Sequence, residues 1–388
     1  MTLREARVAL NASETATLDI EIEHGKITAL GPRIASSAPQ INLEGFVVLP
    51  GLINSHDHLE LNLFPRLGRG PYPNASEWAK DIYHPGEPPI RQHLQVPKRV
   101  RLLWGGIKNL VCGVTTVAHH NPYDPHVFEN NFPVRVVRQY GWAHSLQYSP
   151  RLSTAFHQTP TAFPFLVHAG EGTDELSRQE LYRLDATGVL NPRTILIHGV
   201  SVGPRELMLL RSRGISLVWC PSSNLFTLHR TLSPVVLDSS IPIALGTDSA
   251  LTAGDLIDEI SMARRSRTPE RLYEMVTSSA ASILRLGQGE GEIGEGSVAD
   301  LVVVRNWGQT PAEALLDLWP EMVFVGGRIK LISRKASAEL RIVPPGFQPL
   351  HIEGRGEWLI DADVPNLLHA AKKALQEAVR LAGRKVAA

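Results

Sequence analysis

The chain has 388 residues, 43% of them apolar and 20% charged, with a formal net charge of +0. That length exceeds the roughly 250 residues of one parallel α/β barrel and leaves about a hundred for a second unit. The charge balance argues against nucleic acid or an anionic membrane as partner, no stretch is long and apolar enough to span a bilayer, and two cysteines, Cys112 and Cys220, argue against a disulfide framework.

From the start of the chain, charges occupy the place where a secretion signal needs an apolar core, so a cytoplasmic location is expected. The Asn-x-Ser triplets at Asn11 and Asn74 are then incidental. Residues 16 to 50 read as strands. The apolar run Phe46–Asn54 leads into Ser55-His56-Asp57-His58. Residues 59 to 93 are rich in Pro, Gly and aromatics, as a substrate-facing loop often is. A helix is expected over 96–113, then a strand ending at His119-His120. The segment 121–165 is too short for two full βα units, so the third and fourth units should be abbreviated. Apolar runs then deliver His168-Ala169-Gly170-Glu171, His198-Gly199 and Asp248-Ser249, with helices expected over 177–188, 203–214, 254–266 and 268–287. Residues 293 to 335 return to strand character. The tail ends in an amphipathic helix, roughly Val364 to Leu381, that packs on the exterior or forms a homodimer contact.

Alternating strands and helices predict an α/β fold: a (β/α)8 TIM-like barrel over 51–292, with its third and fourth units abbreviated. Residues 1–50 and 293–340 are expected to form one composite β-sandwich, followed by a C-terminal tail over 341–388. The C-terminal ends of barrel strands share one face. His56 and His58, two apart on a strand, point to the same side. With His168, His198 and Asp248 at later strand ends, this set suffices for a catalytic zinc or iron, which needs three or four protein ligands and an open position.

These segments resemble the amidohydrolase superfamily. Leu49–His58 is similar to its opening motif and Gly113–Val117 to its second strand. His168–Glu171 resembles the fifth-strand motif of the cytosine deaminase and chlorohydrolase branch. His198–Ser201, Cys220–Asn224 and Leu245–Ser249 resemble the sixth-, seventh- and eighth-strand motifs, and Ala299–Val303 a returning strand of the small domain. The resemblance implies one divalent metal, held by His56, His58, His168 and Asp248. It implies Glu171 as proton carrier, His198 beside the attacking water and Asp248 as its base. Many members bridge two metals with a carbamylated lysine. No lysine lies between Lys108 and Lys330, so that bridge cannot form.

The expected activity is hydrolysis of a C–N bond by metal-activated water, as an aminohydrolase of an N-heterocyclic small molecule. The alternatives are another leaving group (chloride, alkylamine or a cyclic amide) at the same metal, and an inactive binding protein on the same fold. His119, His120, His144, Asn224, Arg66 and Trp78 are candidates for substrate contact. Cys220 has no identifiable base beside it and reads as a buried small residue.

Overall fold

Short parallel strands carry the middle of the chain. The computed structural model, which describes residues 1–388, sets them in a ladder of three and a ladder of five. The first joins Leu52–Asp57, Val114–His119 and Arg135–Val136. The second joins Gly141–Ala143, Phe165–Ala169, Thr194–His198, Ser216–Trp219 and Ile243–Leu245. Their Val, Ile and Leu side chains are buried on both faces, as parallel strands flanked by helices require. The architecture is α/β and TIM-barrel-like, with an attached sheet domain.

The first and last parallel strands meet without a full ladder. Asp57 bridges Asp248, and the Thr247 N–H donates to the His56 carbonyl at 2.9 Å. Opposite this seam, Arg135–Val136 and Gly141–Ala143 are two and three residues long and share no ladder. The chain between the second and third strands holds only a four-residue helix, Pro125–Phe128.

Both chain ends enter one twelve-stranded sheet. Its centre is Phe46–Pro50 antiparallel to Leu301–Arg305, with Val48 opposite Val303. Leu3, Ile20, Ile27, Val303 and Phe324 build a core there, separate from the larger core of the parallel unit. Gly51 turns the chain from sheet to first parallel strand. A Cβ at that position would lie 2.1 Å from Thr115 Oγ1, so the close approach needs glycine.

Three elements differ from expectation. The stretch 268–287 is two helices, Pro269–Met275 and Ser278–Ile283, not one. The Val276 carbonyl is taken by the Ile53 N–H at 2.8 Å, so a tertiary bond interrupts the helical ladder. The terminal helix spans Val364–Leu375 and stops at Gln376, whose φ of 58° is left-handed. Val379 and Leu381 are buried all the same, Leu381 in the short strand Arg380–Leu381, which pairs with Arg384–Ala387. Finally, Gln348–Ile352 and Gly356–Ile360 extend the sheet, so the tail is strand as well as helix.

Candidate active site

Strand ends deliver the polar groups. His56 lies at the end of the first parallel strand and His58 just after it, His168 lies near the end of the fifth, His198 ends the sixth, and Asp248 follows the eighth. His198 has φ 74° and Asp248 φ 58°. Left-handed backbone at a non-glycine residue costs about 1–3 kcal/mol and concentrates at functional sites.

The side chains converge. His56 Nε2 and His168 Nε2 lie 3.3 Å apart. His56 Nε2 and His58 Nε2 each lie 3.7 Å from Asp248 Oδ1. Ligand atoms at about 2.0–2.1 Å from a tetrahedral zinc stand about 3.3–3.4 Å from one another. The ligand atoms of His56, His58 and Asp248 lie within 4.8 Å of one another, as do those of His56, His120 and His168, so the cluster centred on His56 could hold a divalent metal ion.

Hydrogen bonds leave the required nitrogens free. His168 Nδ1 faces the His144 carbonyl at 2.8 Å, which assigns the proton to Nδ1 and leaves Nε2 as the lone-pair nitrogen. His120 Nε2 faces the Ala143 carbonyl at 3.0 Å, so His120 Nδ1 can accept from His56 Nδ1 at 3.2 Å. That bond again frees Nε2 of His56. Burial pushes the His56 imidazolium down to about 4 and that of His168 well below the usual range. Neutral imidazole is the metal-binding form. Burial acts to raise the Asp248 carboxyl, but His56, His198 and His58 outweigh it and hold Asp248 ionised far below the carboxylate range. Asp248 Oδ2 accepts from Ser223 Oγ at 2.6 Å and Thr252 Oγ1 at 3.1 Å, leaving Oδ1 toward the histidines.

His198 and Glu171 form the second part of the site. His198 Nε2 is 3.5 Å from Glu171 Oε1, and its Nδ1–H donates to Asn224 Oδ1 at 2.7 Å. Burial, with the charges of Asp248 and Glu180, raises the Glu171 carboxyl well above the glutamate range. A cavity of about 380 Å³ opens over His168 and Glu171, walled by His144, Tyr148, Glu180 and Arg183. Its lid is the loop after the first strand. Asn74 caps the helix Ala75–Ile82, the Ala75 N–H donates to the Glu171 carbonyl at 3.0 Å, and the Thr173 N–H donates to the Pro73 carbonyl at 2.8 Å.

Of the candidate substrate contacts, only His144 lines this cavity. His119 is turned away, with Nε2 3.5 Å from Glu60 Oε2 and its ring against Phe128. His120 stacks on His168 at 4.3 Å between ring centroids and backs His56. Asn224 holds His198. Trp78 donates to the Leu67 carbonyl and packs with Phe64, Ile82 and Leu251. The Arg66 guanidinium lies over the Phe226 ring, outside the cluster. Sequence reading missed Ser223, Thr252 and Glu180. Ser223 lies inside the seventh-strand motif. Thr252 and Glu180 carry no signal, because only the folded chain brings them to Asp248 and Gly170.

Comparison with known proteins agrees with this geometry. Residues 159–330 match the model of the amidohydrolase family. A 5-methylthioadenosine/S-adenosylhomocysteine deaminase of Thermococcus sibiricus is 27% identical over 355 aligned residues, covering 74% of this chain and 80% of that protein. The enzyme of the same description from Pyrococcus furiosus is 26% identical over 353, covering 74% and 81%. Among solved structures, an adenosine deaminase from Xanthomonas campestris with bound zinc superposes with a TM-score of 0.70 at 19% identity, over 97% of both chains. The atrazine chlorohydrolase of Arthrobacter aurescens TC1 complexed with zinc gives 0.70 at 17% identity, over 96% of this chain and 99% of that one.

Proposed function

The chain belongs to the metal-dependent branch of the amidohydrolase superfamily, and from that premise we propose that it is a mononuclear zinc aminohydrolase of an N-heterocyclic small molecule. The observation that carries the reading is the cluster of His56, His58 and Asp248, with His168 Nε2 3.3 Å from His56 Nε2, beside a half-buried Glu171 whose carboxyl is raised above the glutamate range. The two ladders are read as one (β/α)8 barrel with reduced third and fourth units, and the composite sheet as its β-sandwich partner. The bridge between Asp57 and Asp248 supports barrel closure on one side.

Zinc bound at these four residues would supply an activated water at neutral pH. Asp248 Oδ1 is the base that takes a proton from the attacking water. Glu171 gives its proton to the ring nitrogen next to the attacked carbon, so the ring does not carry the negative charge. His198, whose Nδ1–H is held by Asn224, presents Nε2 to accept a hydrogen bond from the attacking water. A C–O bond forms and the exocyclic C–N bond breaks: the proton taken by Asp248 passes to the amine, which leaves as ammonia, and the proton of the added hydroxyl returns to Glu171. The deaminase descriptions of the relatives support ammonia as leaving group and 6-aminopurine nucleosides as the first substrates to try.

The test is an ammonia assay of the zinc-loaded protein on aminated purines, pyrimidines, pterins and triazines. Ammonia release from at least one is expected. Halide or alkylamine release, with no ammonia from any, would replace the deaminase reading with that of another leaving group at the same metal.

A further inference from the structure

Behind the metal-ligand cluster lies a second polar centre that the proposed chemistry does not use. Lys108, on the helix Lys98–Leu110, is 2% exposed, and Asp57, between the two histidines of the first strand, is 0% exposed. Lys108 Nζ stands 2.9 Å from Asp57 Oδ2 and donates to Asn62 Oδ1 at 2.9 Å and Thr247 Oγ1 at 3.1 Å. Three donors meet three acceptors, so the ammonium is fully satisfied. Asp57 also accepts from Nδ2 of Asn62 and of Asn109, each at 2.8 Å. Asn54 Nδ2 donates to Thr247 Oγ1 at 2.9 Å.

Two of the ammonium's partners adjoin candidate ligands. Asp57 separates His56 from His58, and its side chain points away from theirs because strand side chains alternate. Thr247 precedes Asp248. These two positions face each other across the seam that carries one isolated bridge rather than a ladder. The approach is close: a Cβ on Gly246 would lie 2.7 Å from His56 Cβ. Burying an ion pair costs desolvation that apolar packing would not, so its presence at this seam calls for a role beyond stability. We infer that the Lys108–Asp57 pair is a clamp that sets the first strand against the turn before Asp248, and thereby the spacing of His56 and His58 from Asp248. Lys108 and Thr247 are positioning residues and touch no substrate.

The inference rests on the metal-site reading above. Its test compares zinc affinity, by chelator competition, and the visible spectrum of the cobalt form, in the full chain and three variants. Lys108→Met and the near-isosteric Thr247→Val should each weaken zinc about 10–100-fold, as loss of ligand-orienting contacts does, and should alter the cobalt bands. Asp57→Asn/Lys108→Met removes the stranded charge, so it should regain thermal stability lost in Lys108→Met without regaining affinity. Wild-type affinity and cobalt spectrum in Thr247→Val and in the double variant would overturn the clamp while leaving the metal site standing. A wild-type protein that takes up neither zinc nor cobalt would overturn the metal site, and the clamp with it.

Discussion

Burial pushes the carboxyl of Glu171 above the ordinary glutamate range, and the charges of Asp248 and Glu180 push the same way. A carboxyl raised in this way holds its proton to higher pH, and its Oε1 lies 3.5 Å from His198 Nε2. Glu171→Gln changes almost no volume and removes that proton. Turnover should fall about 10²–10⁴-fold, the usual worth of a general acid, while metal content stays unchanged. Wild-type turnover in the variant would remove Glu171 from the proton path. Glu259 is a buried carboxyl outside the cavity. Its Oε2 accepts from the Ser222 N–H at 2.9 Å and its Oε1 has no partner. Burial raises it to about 8, with Asp258 and Asp248 adding to the shift. The folded value lies above the unfolded one, so its favourable contribution is complete below the unfolded glutamate range. It is lost as pH rises toward about 8. Across that window this group alone should lower stability by about 1.4 kcal/mol per pH unit. Glu259→Gln should flatten the decline of Tm between pH 5 and 8, measured by thermal unfolding with the metal held constant. An unchanged slope would place the pH dependence elsewhere.

At the scale of elements, the terminal helix shows what a sequence discloses and what it hides. Leu367, Leu368, Ala371 and Leu375 repeat at helical spacing and are buried as that spacing requires. The stripe continues through Val379, yet the helix stops at Gln376, because burial alone does not distinguish a helix from the short strand that follows. No glycine marks the stop. Gln376 takes the left-handed position that glycine usually fills. Gln376→Gly should therefore stabilise the protein by about 0.5–1 kcal/mol, the relief of left-handed strain less the added freedom of the unfolded chain. A small rise in Tm checks it, and a fall would mean that the helix end is held otherwise. The two helices within 268–287 were hidden for another reason. Nothing local breaks the pattern. The Val276 carbonyl is captured by Ile53, a residue far away in the chain. The convergence of His56, His168, His198 and Asp248 was legible for the opposite reason: each group follows its own apolar strand, and parallel strands put such ends on one face. The residues behind it were not. His120, Asn224 and Ser223 take their meaning from partners on other strands, which spacing along one strand does not reveal.

At the scale of the whole molecule, the candidate ligands come from both ladders. His56 belongs to the ladder of three strands, with His58 just past its end, and His168 to the ladder of five, while Asp248 lies at the seam between first and last. An ion held by all four ties the two halves of the parallel unit together at the seam where main-chain pairing is thinnest. Its removal should then act on the fold as well as on catalysis. A ligand that binds only the folded state adds stability that grows with its concentration over Kd, about 4 kcal/mol at a thousandfold excess. Dialysis against a chelator should lower Tm, and zinc should restore it at one equivalent per chain. Elemental analysis should find one ion, because the lysine that would bridge a pair is missing between Lys108 and Lys330. Two tightly held ions per chain, or a Tm indifferent to the chelator, would show that the four residues do not share a single ion across the seam.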